Sequence, residues 1–377
     1  MRWMPRLAAI AVAAVLTACG GGSDVTAVKV AGDSLADAGT FGFKFTVQAA
    51  SRNATRIWTD VVADAADVAP LCPRYRGDPS SGAIEPDPAG ASCTSHAVGG
   101  ARLNVRGSAG DATPYSVLQQ LRTLGASGYA AQDILLVDGG GNDLADLIGA
   151  YLSATGDGGA AYTSLLAELL PADQVAAAAA GASGLAQAGG AYMAALADRL
   201  ADTLAAEALA KGARRVVVLN APDVARTPRF AAVLTSVAAG AGGGQAGAAA
   251  AQQVVTMARA WLDAFNGRLA QRLAGESRVA LVDFRAALDQ WLTNPAAYGL
   301  TNTTTPACPA AGTDAQGLPS YNLATCTEAL LAANPPAGAG GAWWNGYVFS
   351  DNFHGTPHTN ALMGRLVVQA LRARGWV

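Results

Sequence analysis

Three histidines occur in the 377 residues: His96, His354 and His358. Proton transfer by an imidazole near neutral pH must draw on one of them. His354 stands in Asp351-Asn352-Phe353-His354. A spacing of three predicts a helical turn with both side chains on one side. Asp351 would then hold one ring nitrogen and leave the other free to take a proton, which makes an oriented general base. Such a base serves a hydroxyl nucleophile, and Ser34 in Gly32-Asp33-Ser34-Leu35 is the candidate. It follows the apolar run 25–30, which reads as a strand, and Gly32 permits a tight turn after it. Ser34 is expected to open a helix, with its own N–H unpaired and available to an oxyanion. Taken alone it also reads as a helix N-cap. His358, four residues past His354, is the rival base and reads as a structural neighbour. His96 reads as a polar core or rim residue. The Gly-x-Ser-x-Gly elbow of other serine hydrolases is absent.

Buried parallel strands are expected to position these groups. The runs 25–30, 133–137, 215–219 and 279–282 are nearly continuous Val, Ile and Leu, and each leads into a polar loop. Helical stripes lie between them, Leu196-Leu200-Leu204 and Val254-Ala258-Trp261-Phe265-Leu269-Leu273. Alternating strands and helices predict an α/β chain: a three-layer α/β/α sandwich with a mostly parallel central sheet. Functional groups in such folds gather at the carboxyl ends of strands. The Ala/Gly tracts 176–190 and 238–251 are potentially helical through alanine but floppy through glycine, and read as surface elements around helices. Segment 302–341, rich in Thr, Pro and Gly, reads as a long structured loop at the rim of the site. Trp343, Trp344, Tyr347 and Phe353 are candidates for an acyl pocket or for ordinary packing. The chain is 51% hydrophobic and 14% charged, with a net charge of −3. That excludes a disordered chain and, with no basic cluster, argues against nucleic acid as a partner.

Four segments, in order, resemble the blocks of the GDSL family, also called SGNH hydrolases. Gly32-Asp33-Ser34-Leu35 looks like the first block. Ala97-Val98-Gly99-Gly100-Ala101 looks like the second, whose glycine donates a backbone N–H; Gly100 takes that role, with Gly99 as the alternative. Gly140-Gly141-Asn142-Asp143 resembles the third, in which the asparagine amide donates to the oxyanion. Asp351 to His354 resembles the last. Segments 216–228 and 294–299 are also similar to family segments, so the resemblance spans 25–377. The chain departs from the pattern at His354-Gly355-Thr356, where His-Pro-Thr is usual, and at His96, near which asparagine is common. The resemblance implies a flavodoxin-like fold in one domain over 25–377. It implies a serine esterase or lipase acting on lipid or simple acyl esters through an acyl-enzyme. Ser34, Asp351 and His354 would be catalytic, and Ser34, Gly100 and Asn142 would form the oxyanion hole. Asp37 and Asp143 would support loops, and no metal or cofactor is implied. A deacetylase of surface carbohydrate and a non-catalytic envelope module binding lipid or glycan are the alternatives.

The first residues read as an address. Arg2 and Arg6 precede ten apolar residues, Leu7 to Leu16, and Leu16-Thr17-Ala18-Cys19 is followed by Gly20, Gly21, Gly22 and Ser23. The run is too short to span a bilayer and fits a secretory leader. The Leu-Thr-Ala-Cys segment resembles the lipobox of bacterial lipoproteins. That implies a signal peptide over 1–18, acylation of Cys19, a flexible tether over 19–24, and export to the bacterial envelope with a lipid anchor in the outer membrane. Cleavage near Ala18 as an ordinary signal peptide is the other reading. Cys72, Cys93, Cys308 and Cys326 remain, an even number suited to disulfides in an oxidising compartment. Three pairings exist, and proximity favours Cys72–Cys93 with Cys308–Cys326. Their spacings match no zinc pattern.

Overall fold

A computed structural model describes residues 24–107, 110–179 and 182–377. The expected leader over 1–18 and Cys19 lie outside the described residues. Four strands, β1 (Val28–Ala31), β2 (Ile134–Val137), β3 (Arg215–Leu219) and β4 (Val279–Val282), form one sheet. They lie side by side in that order and all run parallel, with Val28 opposite Ile134, Ile134 opposite Arg215 and Val216 opposite Val279. On the other edge of β1, Ser95 forms a parallel bridge with Val30. The Val30 N–H donates to Thr94 O at 3.0 Å and the His96 N–H to Val30 O at 2.8 Å. With that short segment included, the chain crosses from β1 to one side, then back past it to β2. This is the doubly wound order whose crevice opens beside the first strand. The segments leaving β1, the Ser95 segment and β2 carry Ser34, Gly100 and Asn142, the last in the first turn of the helix that follows β2, so topology alone gathers them at one end of the sheet.

Side-chain alternation divides the core between the two faces of the sheet. Leu135, Val137, Val216 and Val218 face one layer. It contains α2 (Val117–Ala126), α3 (Gly141–Asp157), α4 (Ala182–Thr203) and α5 (Gly244–Leu273). Val28, Val30, Ile134, Leu136 and Val217 face the other, with α1 (Trp58–Ala65), α6 (Phe284–Thr293) and α7 (Pro357–Ala373). The three-layer α/β/α architecture is therefore present. Caps set the starts of two helices near the site. Ser116 accepts the Gln119 N–H at α2, and Thr356 accepts the Thr359 N–H at α7 with Pro357 in the first turn.

In the Ala/Gly tracts the helical tendency of alanine prevails over the floppiness expected of glycine. Much of each is ordered helix, in α4 and α5, which pack on one another. Small residues let them approach: a Cβ on Gly189 would lie 2.2 Å from the Trp261 indole. Trp261 Nε1 donates to Ala186 O at 2.6 Å. Burial of that aromatic ring outweighs the weak helix propensity of glycine.

Both expected disulfides form, Cys72–Cys93 and Cys308–Cys326. Segment 302–341 is a braced loop around a small core of Ala307, Cys308, Leu323, Cys326 and Leu331, completed by Val47 and Trp344 from outside it. It supports the Asp351–His354 block from behind, through Ala307 N–H to Phe349 O (2.9 Å) and Cys308 N–H to Ser350 O (2.8 Å). Among the described residues no helix is long and apolar enough to cross a membrane. Cys72 and Cys93 are 21 residues apart. Replacing both by serine is expected to lower the unfolding free energy by about 3 kcal/mol. The shift is read as a lower denaturant midpoint at constant m; an unchanged midpoint would show that the loop closes equally well without the bond.

Candidate active site

Ser34 does not open a helix. After Ala31 the chain makes a turn closed by Ala36 N–H to Asp33 O at 3.2 Å, and no helix begins until Trp58. Side chains rather than helix geometry hold the turn. Asp33 Oδ1 accepts the Leu35 N–H at 3.0 Å. Gln120 of α2 grips Gly32 on both sides, accepting its N–H at 2.7 Å and donating to its carbonyl at 3.1 Å. Asp37 accepts the N–H groups of Gly39 (2.8 Å) and Thr40 (2.7 Å), and its other oxygen accepts that of Gly99 at 2.8 Å. One buried carboxylate thus locks the Ser34 loop to the Gly99-Gly100 loop.

Across the crevice, His354 Nε2 lies 2.7 Å from Ser34 Oγ. His354 Nδ1 lies 2.7 Å from Asp351 Oδ2, while Asp351 Oδ1 accepts the backbone N–H groups of Phe353 (2.8 Å) and His354 (2.7 Å). The spacing of three therefore works through an Asx-type turn, not the helical turn expected. A carboxylate with two backbone donors has its orientation set before it meets the imidazole. Ser34, Gly100, Asn142 and His354 line one cavity. Among the described residues the N–H groups of Ser34 and Gly100 have no acceptor, whereas that of Gly99 is taken by Asp37. Gly100 sits at φ +78°, a conformation that favours glycine. Asn142, in the first turn of α3, donates from Nδ2 to Ala101 O at 3.0 Å and, more distantly, to Asp33 Oδ2 at 3.4 Å.

The GDSL-like lipase/acylhydrolase family model matches residues 28–367. The chain belongs to this family. No curated protein matches it. Membership makes the protein an acyl hydrolase, and in this GDSL hydrolase all four blocks border the same cavity or stand directly behind it.

Electrostatics follow from burial and partners. Burial alone would push the His354 imidazole down, but the Asp351 carboxylate, with a smaller contribution from Asp33, holds it above its ordinary 6.5. Burial opposes the charge on Asp351, but the imidazole and the two N–H donors outweigh it and keep that carboxyl below its usual range. His96 is different: burial, with Arg74 and Lys29 nearby, pushes it down to about 4. It touches Tyr75 and lies outside the site. His358 accepts no catalytic role by position, since its Nε2 is bonded to Tyr298 O at 2.7 Å. Asp143 accepts the N–H groups of Leu103 and Asn104 in the buried floor, and burial pushes it up to about 7.

The cavity has a volume of about 290 Å³ and is mostly apolar. Its walls are Leu35, Val224, Phe284, Leu288, Phe349, Phe353 and Met363. Of the four aromatic candidates only Phe353 is among them. Trp343, Trp344 and Tyr347 belong instead to the small core around Cys308–Cys326. Segment 302–341, expected at the rim, contributes no lining residue. Sequence reasoning missed Phe45, whose ring centre lies 5.0 Å from that of His354. A Cβ on Gly99 would come within 2.2 Å of the Phe45 ring, so Gly99 makes room for it. Phe284, Leu288 and Met363 were also missed; they sit on the sheet-facing sides of α6 and α7, where periodicity reports burial but not a cavity.

An imidazole NMR titration should place His354 above 6.5 and His96 near 4, and Asp351→Asn should move His354 downward. The acid limb of kcat/KM should follow His354, because the protonated ring cannot accept the Ser34 proton. A His354 midpoint at or below 6.5 in the wild type would show that the Asp351 contact fails in solution.

Proposed function

We propose that this GDSL hydrolase is an exported carboxylic-ester hydrolase that works through an acyl-enzyme on Ser34. The observation that carries this reading is the unbroken line Asp351–His354–Ser34, with both contacts at 2.7 Å. Ser34 Oγ attacks the ester carbonyl while His354 Nε2 takes its proton. Asp351 keeps Nδ1 as the protonated nitrogen and stabilises the imidazolium. The oxyanion forms beside the open N–H groups of Ser34 and Gly100. Asn142 joins them: its bond to Ala101 O fixes the amide, and the long contact to Asp33 costs little to exchange for an oxyanion. His354 then protonates the leaving alcohol, and water repeats the cycle on the acyl-enzyme.

The apolar cavity walls favour an acyl group of lipid type or a simple aliphatic ester over the acetyl group of a polysaccharide. Export is supported by the leader-like segment and by the two disulfides. Anchoring through Cys19 at the envelope is part of the same reading, and globomycin sensitivity of processing tests it.

Ser34→Ala should abolish hydrolysis of nitrophenyl esters with unchanged circular dichroism; full residual activity would refute the nucleophile. Asn142→Ala should lower kcat by roughly 10²–10³-fold with little change in KM, as expected for a donor used in the transition state. A change confined to KM would contradict the oxyanion role. Across an acyl-chain series, esters longer than acetate should give the higher kcat/KM, and a preference for acetylated glycans would point to the deacetylase instead.

A further inference from the structure

A further buried carboxyl stands behind Ser34 and takes no part in the mechanism above. Asp138 directly follows β2, and its residue is 4% exposed. Its Oδ1 accepts the backbone N–H of Asp33 at 3.0 Å. The fit is close: a Cβ on Gly32 would fall 1.7 Å from that same oxygen. Its Oδ2 is buried and has no hydrogen-bond partner among the described residues. It borders a small cavity of about 30 Å³ that shares Leu35, Phe284 and Met363 with the active-site cavity. That is room for about one water molecule. Asp33, whose main chain Asp138 holds, uses its own carboxyl on the Leu35 N–H and the Asn142 amide. A single set of contacts therefore runs from the end of β2 to the nucleophile turn and on to the oxyanion amide.

We infer that Asp138 is a positioning residue for the nucleophile: through the Asp33 N–H it fixes the turn that aims Ser34 at His354. The inference rests on the reading of Ser34 as the nucleophile. The surroundings of Asp138 favour the uncharged acid. Phe284 and Met363 cover its corner without bringing charge, and among the described residues the one charge that bears on it is Asp33. Asp33 in turn feels His354 and Arg102. Burial first, and repulsion from Asp33 second, hold the Asp138 carboxyl well above the usual range. A carboxylate there would put a charge on a buried oxygen that no protein group donates to, which costs more than burying the neutral acid.

Two variants test this. Asp138→Ala removes the acceptor for the Asp33 N–H. Asp138→Asn keeps an acceptor and is neutral at every pH. Fluorophosphonate labelling of Ser34 and kcat should both fall roughly 30- to 100-fold in Asp138→Ala, with KM within about twofold. Asp138→Asn should recover both to within about threefold of wild type. Labelling of Asp138→Ala at the wild-type rate would overturn the inference, as would Asp138→Asn as slow as the alanine variant. Stability gives an independent reading should the alanine variant not fold. A carboxyl whose pKa is raised by folding contributes least once pH exceeds the folded value, so wild-type stability falls as pH rises between the unfolded and folded values. The Tm of Asp138→Asn relative to wild type should therefore climb with pH; a flat difference overturns the neutral-acid claim. Wild type that fails to label at Ser34 removes the nucleophile and this inference together, whereas labelled wild type beside an equally fast Asp138→Ala removes this inference alone.

Discussion

The contact between Ser34 Oγ and His354 Nε2 joins residues 320 positions apart. In the proposed mechanism neither group reacts without the other: a free serine hydroxyl is a weak nucleophile, and an imidazole needs its proton donor within hydrogen-bond reach. The fold must therefore hold the turn after its first strand against the loop before its last helix. It does so from both sides. Gln120, Asp33 and Asp37 fix the serine turn. On the histidine side, Ser350 N–H donates to His354 O at 2.7 Å, and the disulfide-stapled segment supports Phe349 and Ser350. Asp351 is the costly member, since a buried carboxylate is stable only when its lone pairs are met. Two N–H groups and the imidazole meet them.

Buried acids recur through the floor of the site. Asp33, Asp37, Asp138 and Asp143 all accept backbone N–H groups, and burial raises the pKa of each. Each ties one loop to another, or ties its own turn closed. The loops that carry Ser34 and Gly100 leave the sheet at the switch point and lie outside helix and strand. Carboxyl acceptors replace those missing ladders. Raised pKa values are the consequence, and the cost appears as stability that falls as pH rises from the ordinary carboxyl range through the folded value, about 7 for Asp143.

Much of this was legible in the sequence because the relevant chemistry leaves local marks. The four strands are short apolar runs ending in Asp, Asn and Gly, and β3 and β4 fall on the runs expected. Ser34, Gly100, Asn142, Asp351 and His354 each sit in a short block whose residue types are unusual in combination, and the fold brings them to one crevice. Local geometry was less legible. Ser34 lies in a turn rather than at a helix start because Asp33 and Asp37 outcompete helical bonding. Asp351 and His354 meet through an Asx-type turn because the carboxylate captures the intervening N–H groups. The cavity was least legible. Several of its walls come from α6, α7 and the loop at Val224, and a buried apolar residue looks the same in sequence whether it faces a neighbour or an acyl chain. Trp343 and Trp344 drew attention by size, yet they fill the core beside a disulfide.

The central claim is covalent, and mass spectrometry of the quenched reaction tests it most directly. An activated ester would be mixed with the wild-type protein, stopped in acid within the first turnover, and digested. The account predicts the mass of the acyl group on the peptide containing Ser34, rising in the burst and disappearing when substrate is exhausted. Steady hydrolysis with that peptide unmodified throughout, or with the acyl group on another residue, would contradict it.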